Sequence, residues 1–304
     1  MLTMNGWINL YKHTGISSAK ALGIIKRAFR GRRVGHSGTL DLEAEGILPV
    51  AIGAATKLIP FLQEKPKTYK FTIQFGARSD TADSYGKIIE RTDIVPSSIE
   101  QCAAIIPKFL GKITQNPPQY SALKVNGQRA YDLALKGQEF TLPTREVSIY
   151  SLELLNFDNN KHTATYIASC SKGTYVRSLA EDIAFSLQSL GFVLELARLE
   201  YGPFNDEGAI SSITLKDLPF EEAANLLRQK LMGVGDVLDD IPAISISEQE
   251  CYKIRCGQLC HFSPAEHAGK VLWLKHNGEV VAFGMLAEDG IFKTHKVLHY
   301  GTSN

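Results

Sequence analysis

No aspartate or glutamate occurs in the first forty residues, although seven lysines or arginines do. Asp41 is therefore the first carboxylate of the chain. No uninterrupted apolar run reaches the length of a membrane span, so none is expected. Residues 1–11 carry neither a basic stretch nor a long apolar one, and no secretory signal is expected there. Cysteine is sparse: Cys102, Cys170, Cys251, Cys256 and Cys260 in 304 residues, with no Cys-x-x-Cys pair. An odd, scattered set argues against a disulfide scaffold and for a reduced, cytoplasmic protein. Cys251, Cys256, Cys260 and His261 lie close enough in sequence to raise zinc, but the tight pairs of structural zinc sites are missing. Small buried thiols are the expectation, and no metal is assigned. The segment Gly35-His36-Ser37-Gly38-Thr39 has the glycines of a phosphate cradle but lacks the Gly-Lys-Ser/Thr ending, which argues against a nucleotide-hydrolysing P-loop.

What is present is unevenly placed. Net charge is +1 over the chain, yet it is +5 in residues 1–100, +1 in 101–200 and −5 in 201–304. The basic residues concentrate in Lys26-Arg27 and Arg30 to Arg33, a patch able to track phosphates. Asp41 follows a glycine-paired turn and precedes the apolar run Ile47-Leu48-Pro49-Val50-Ala51-Ile52. An acid so placed is either a turn aspartate bonded to its own backbone or an ionised carboxylate beside a docking polyanion.

The length allows two domains. Trp7 to Tyr11 reads as a strand; Ser17-Ser18 then offers N-caps to a helix with Leu22, Ile25 and Phe29 inward, ending near Gly31. Thr68 to Gly76 alternates, with Tyr69, Phe71, Ile73 and Phe75 on one face of a half-buried strand. Ser97-x-x-Glu100 resembles a capping box for a helix stopped by Gly111. Residues 114–145 hold Pro117-Pro118 and mix Lys124, Arg129, Lys136 and Arg145 with Tyr120 and Tyr131, a composition suited to gripping nucleic acid or to a plain surface excursion. Val147 to Phe157, His162 to Cys170 and Phe192 to Leu199 read as strands around a helix with Val176, Leu179, Ile183 and Leu187 inward. Beyond a boundary near 235 the pattern is mostly strand, with Asn277-Gly278 and Asp289-Gly290 as hairpin turns. The expected class is α+β, with residues 1–234 as one domain and 235–304 as a small β-rich module.

Few residues stand out as chemistry. Arg177 falls in the first turn of its helix, where the dipole disfavours a cation, so a carboxylate partner is expected. Tyr175 could stack or accept a proton, and Tyr69 could be core or pocket wall. Glu43 and Glu45 beside Asp41 raise a glycoside hydrolase, although carboxylates so close on one loop rarely flank a sugar ring.

Taken in order, the segments resemble the TruB family of tRNA pseudouridine synthases. The motifs are Lys12-x-x-Gly15-x-Ser17-Ser18, Gly35-His36-x-Gly38-Thr39-Leu40-Asp41, and Gly46-x-Leu48-Pro49-Val50-x-x-Gly53-x-x-Thr56-Lys57. They continue with Lys67-x-Tyr69, Arg78-x-Asp80-Thr81-x-Asp83-x-x-Gly86, Pro117-Pro118-x-Tyr120-Ser121-Ala122-Leu123-Lys124 and Ser171-Lys172-Gly173-Thr174-Tyr175-Val176-Arg177. The resemblance spans most of residues 7–200 and is looser beyond. It implies a mixed, mainly antiparallel sheet flanked by helices, with a small C-terminal β-rich module of PUA-like type.

The resemblance further implies that Asp41 is the essential carboxylate in turning uridine into pseudouridine at the T-loop position (uridine-55) of tRNA. Tyr69 would pack on the uracil, Arg177 would pair with Asp41, and Tyr175 and Leu196 would line the pocket. RNA contacts are expected from His36, Lys12, Arg32, Arg33, Lys124 and Arg129, and residues 114–145 would close on the stem-loop. The reaction moves the uracil from N1 to C5 without redox change, so no cofactor is called for, and a monomer needing no protein partner is expected. Departures from the family pattern are His13 after Lys12, Leu42 after Asp41, and Glu43-Ala44-Glu45 before Gly46. The alternatives are a catalytically silent RNA-binding or tRNA-folding factor and the glycoside hydrolase above.

Overall fold

The computed structural model describes residues 4–121, 123–125, 127–138, 140–263 and 267–299, and gives only the backbone of Lys124, Arg129, Tyr131 and Leu135. Strand β1 (Gly6–Lys12) is buried along nearly its whole length, as its Trp7-Ile8-Asn9-Leu10 run predicts. Ser17 then caps α1 (Ser18–Ala21) by accepting from the Lys20 amide, and α2 (Gly23–Ala28) continues it. Leu22, Ile25 and Phe29 are the buried stripe, and Gly31 leaves the helix at φ +84°. A short β2 (Val34–His36) leads through the Asp41 loop to β3 (Glu45–Ile52), then α3 (Ile59–Glu64) and β4 (Lys67–Phe75).

A small hairpin of β5 (Ala77–Ser79) and β6 (Ile88–Arg91) precedes α4 (Ile99–Ala104) and β7 (Gly111–Gln115). Here the expected cap is off by one. Ser98 accepts from the Gln101 amide, while the Gln101 side chain accepts from the Ser97 amide. The helix also stops earlier than Gly111. It ends at Ala104, a 3-10 turn carrying Pro107 follows (Ile106–Phe109), and Gly111 opens β7 at φ +82°. Proline lacks the amide hydrogen that a continuing helix needs.

The segment 114–145 is mostly irregular, with a two-residue hairpin, β8 (Lys124–Val125) and β9 (Gln128–Arg129), and α5 (Ala130–Leu135). Then come β10 (Arg145–Asp158), β11 (Thr163–Cys170), α6 (Val176–Ser186), β12 (Gly191–Tyr201) and β13 (Ile210–Ser211). The main sheet runs β13-β1-β3-β12-β4-β11-β10-β7, with β2 against β3. It is antiparallel except where β1 meets β13 and β12 meets β3. Helices α7 (Ser212–Asp217) and α8 (Phe220–Gln229) close this part, with Glu221 and Glu222 favourably placed in the first turn of α8.

The C-terminal module is a separate four-stranded sheet of β14 (Ala243–Ser245), β15 (Val271–His276), β16 (Glu279–Leu286) and β17 (Phe292–Val297), with α9 (Glu248–Arg255). Asn277 and Gly278 both take positive φ, +50° and +80°, as a tight hairpin turn demands. The fold is α+β, as the sequence led us to expect. The module packs on the main body: Val280, Phe283 and Leu298 share one apolar cluster with Trp7, Leu58 and Tyr201. The Trp7 indole donates to the Val234 carbonyl, and the Lys57 ammonium donates to the Val297 carbonyl.

Two further clusters frame the site. One packs Phe71, Ile73 and Tyr166 against Leu179 and Ile183 of α6. The other packs Ile8, Leu48 and Val50 against Ile25 and Leu227. Leu196 borders both.

Candidate active site

Asp41 lies in the loop between β2 and β3, and the loop is held from three sides. Ser18 grips Leu40, its hydroxyl accepting from the Leu40 amide at 3.0 Å and donating to the Leu40 carbonyl at 2.9 Å. The Gly15 amide donates to the Leu42 carbonyl at 2.9 Å. From below, Arg198 donates to the Gly38 and Ile47 carbonyls, both at 2.7 Å. Gly38 sits at φ +64°, and a Cβ there would stand 2.8 Å from the Tyr201 ring and 2.9 Å from the Arg198 guanidinium. Only glycine meets both conditions without displacing a neighbour.

The Asp41 carboxylate meets Arg177 at 3.0 Å. The guanidinium is almost wholly buried, whereas the carboxylate is 43% exposed. The cation in the first turn of α6 therefore has the partner its position called for, and it has a second. Asp83, buried, lies 3.3 Å from the other guanidinium nitrogen. Arg177 also donates to the Thr81 and Tyr120 carbonyls at 3.0 Å each. Asp83 accepts in turn from the Thr81 hydroxyl and the Tyr85 amide. One buried cation thus joins the Asp41 loop, the turn after β5, the 114–145 segment and α6.

Asp41 opens onto a cavity of about 120 Å³ lined by Leu40, Ala44, Tyr69, Thr174, Tyr175, Val176, Arg177 and Leu196, with Thr39 at its edge. The structure brings Asp41, Tyr69, Tyr175, Arg177 and Leu196 together on this one hollow. Tyr69 stands opposite Arg198 in the β4–β12 ladder, and burial raises its hydroxyl pKa, so the phenol stays neutral. Tyr175 has its backbone clamped by Gln115, whose side chain accepts from the Tyr175 amide and donates to its carbonyl. The Arg145 guanidinium covers the Tyr175 ring at 5.2 Å.

The expected RNA contacts fare unevenly. Arg33 is exposed and Arg32 half-buried in the turn just before β2. The side chains of Lys124 and Arg129 lie outside the described residues. His36 is half-buried on β2 opposite Val50 and does not line the cavity. Burial, then Arg198 and Lys26, lower its pKa, so its ring is neutral near pH 7. Lys12 is a correction. It is fully buried, and its ammonium donates to the Ile16, His13 and Leu42 carbonyls, so it holds the Asp41 loop and cannot reach a phosphate. Burial lowers its pKa to about 8.

The residue-by-residue reading missed Asp83, Arg198 and Gln115. Asp83 stood in a quoted motif without a role, and its distance from Asp41 along the chain hid the pairing. Cys251 and Cys260 are buried and Cys256 is exposed. Among the described residues no group of three or more His, Cys, Asp or Glu side chains is disposed to hold a metal, and no helix is long and apolar enough to cross a membrane.

The site is thus a carboxylate fixed by a buried arginine beside a hollow walled by rings, on a broad mixed sheet. The sequence model of the TruB family pseudouridylate synthase N-terminal domain matches residues 26–176. The chain is 48% identical to the tRNA pseudouridine synthase B of Rickettsia bellii (strain OSU 85-389), over 92% of this chain and 94% of that protein. Against the enzyme of the same name from Rickettsia akari (strain Hartford) it is 46% identical over 93% and 94%. The chain belongs to the TruB family. Its fold is also that of a chain in the crystal structure of a Cbf5-Nop10-Gar1 complex, with TM-score 0.72 at 22% identity over 97% of this chain and 85% of that one. A second match is a chain in the structure of an H/ACA RNP bound to a substrate RNA containing 2'-deoxyuridine, with TM-score 0.69 at 20% identity over 98% and 84%.

Proposed function

We propose that this protein isomerises uridine to pseudouridine in the T loop of tRNA, with Asp41 as the essential carboxylate. The observation that carries the reading is the Asp41–Arg177 pair at 3.0 Å on the edge of the ring-lined cavity. The likeness to relatives named tRNA pseudouridine synthase B supports tRNA as the RNA.

The reaction breaks the bond between the sugar C1′ and uracil N1, forms one from C1′ to C5, releases the C5 proton and takes up a proton at N1. Attack on the sugar, attack on uracil C6 and abstraction of the C2′ proton all require Asp41 as an anion. The Arg177 guanidinium, 3.0 Å from Asp41, pairs that anion with the opposite charge. The cavity takes a ring pulled out of the RNA stack, at a cost of a few kcal/mol. Tyr69 and Leu196 offer it flat and aliphatic walls, so a detached uracil keeps its place while it turns. Tyr175, packed under Arg145, stands where the C5 proton would leave.

In this reading residues 1–234 are the catalytic domain, 114–145 closes on the stem-loop, and 235–304 is a PUA-like RNA-binding module. Arg32, Arg33, Lys124 and Arg129 contact phosphates, His36 packs against the rearranged loop, and the enzyme acts as a cytoplasmic monomer. Incubating the purified protein with a tRNA transcript and mapping pseudouridine tests this. One modified T-loop position is expected. Tight binding without isomerisation would instead mark a silent RNA-binding or folding factor, and release of free uracil a glycosidase.

A further inference from the structure

Gln115 ends β7, Arg145 begins β10, and the two are partners across the ladder, so the chain leaves the sheet after one and rejoins it at the other. This rung is the root of the 114–145 segment, and both of its side chains reach Tyr175. Gln115, fully buried, accepts from the Tyr175 amide at 3.0 Å and donates to the Tyr175 carbonyl at 3.2 Å. Arg145 stands over the Tyr175 ring and donates to the Gly173 carbonyl at 3.4 Å. The next turn repeats the link. The Ser178 hydroxyl donates to the Asn116 carbonyl at 2.6 Å, and Arg177 to the Tyr120 carbonyl at 3.0 Å.

Tyr175 needs such holding. It stands just before α6 with extended dihedrals, φ −100° and ψ 112°, and its own side chain makes no cap bond. Neither strand nor helix regularity fixes it, yet its ring walls the cavity beside Asp41. A side-chain amide carries an acceptor and a donor on neighbouring atoms, so Gln115 bonds both backbone groups of one extended residue as an adjacent strand would. We propose that Gln115 is a positioning residue for the isomerisation: its amide sets the Tyr175 backbone, and through it the ring that walls the uracil cavity. The wall of the pocket then hangs from the root of the segment that closes on the stem-loop. A displacement of about 1 Å at such a wall costs up to about 100-fold in rate. This rests on the reading of Asp41 and its cavity as the site of a uridine isomerase.

The test is single-turnover conversion of a tRNA transcript at saturating enzyme, with Kd from filter binding, for the wild type, Gln115→Met and Gln115→Glu. Methionine keeps the length and removes both bonds; an ionised glutamate keeps the acceptor but sets an oxygen against the Tyr175 carbonyl. Both variants should lose about 10- to 100-fold in rate constant while Kd stays within about threefold of wild type. A purely structural role would lower the folded fraction and leave the rate constant of the bound complex unchanged. In the wild type, hydrogen exchange at the Tyr175 amide should be at least about 100-fold slower than at an unprotected amide. A Gln115→Met rate constant within about threefold of wild type overturns the proposal, and so does a loss expressed wholly in Kd. An unprotected Tyr175 amide in the wild type overturns it even if neither variant folds. Absence of isomerisation by the wild type instead overturns the functional reading, and this proposal with it.

Discussion

Two buried arginines flank the Asp41 loop, and they differ in what they hold. Arg177 reaches two carboxylates and two carbonyls; Arg198, fully buried, reaches the Gly38 and Ile47 carbonyls and lies 4.9 Å from the centre of the Tyr201 ring. Arg198 has no carboxylate among these contacts, so moving it disturbs the shape of the loop before it disturbs charge. Arg177 carries the charge of the site. The difference teaches that the loop is fixed by one cation through backbone dipoles and made reactive by the other through an anion.

Removing Arg177 should have the larger effect. Arg177→Leu leaves Asp83 buried without its cation, at about 3–5 kcal/mol, and frees Asp41, with a loss of at least ~100-fold in single-turnover rate. Urea unfolding and rapid-quench kinetics read the two quantities. Arg198→Met strands two carbonyls at about 2–4 kcal/mol, with a smaller loss of rate in the molecules that remain folded. If Arg198→Met removed turnover as fully as Arg177→Leu at unchanged stability, the division between them would fail.

Two weaker substitutions sharpen the same contrast. Ser18→Ala removes both hydrogen bonds on Leu40, for about 1–2 kcal/mol and a several-fold slower rate. Lys12→Met should act mainly through pH. The native ammonium has a pKa of about 8 against an ordinary value of 10.5, so between those values the unfolded chain binds more protons. The Lys12 contribution to stability therefore rises with pH from about 8 to about 10.5. Thermal unfolding of the variant should lack that rise relative to wild type, and an identical pH dependence would show that the ammonium is not desolvated.

Much of the scaffold was legible because local pattern and tertiary role agree. Alternation in Tyr69 to Phe75 and the Asn277-Gly278 turn each state a backbone geometry that the packing then uses. The misplaced cap at Ser97 and the false stop at Gly111 come from adjacent serines and a glycine that begins a strand instead of ending a helix. The site was legible where a residue was locally out of place, as Arg177 is against the dipole of α6. It was illegible where burial arises from distant neighbours. Lys12 was expected at RNA and Arg198 was given no role, yet both are buried, each bonded to backbone carbonyls brought to it by the fold. The Arg177–Asp83 pair joins residues 94 apart and leaves no periodic trace in the sequence.

The central claim is that the Asp41 anion, held by Arg177, performs the chemistry. Asp41→Asn preserves the side-chain shape and removes the charge. Tritium release from tRNA labelled at uridine C5, measured beside filter binding of the same tRNA, tests it most directly. The account predicts wild-type release at the T-loop position, release at background for the variant, and RNA binding within a few-fold of wild type. Near-normal release by Asp41→Asn would contradict it.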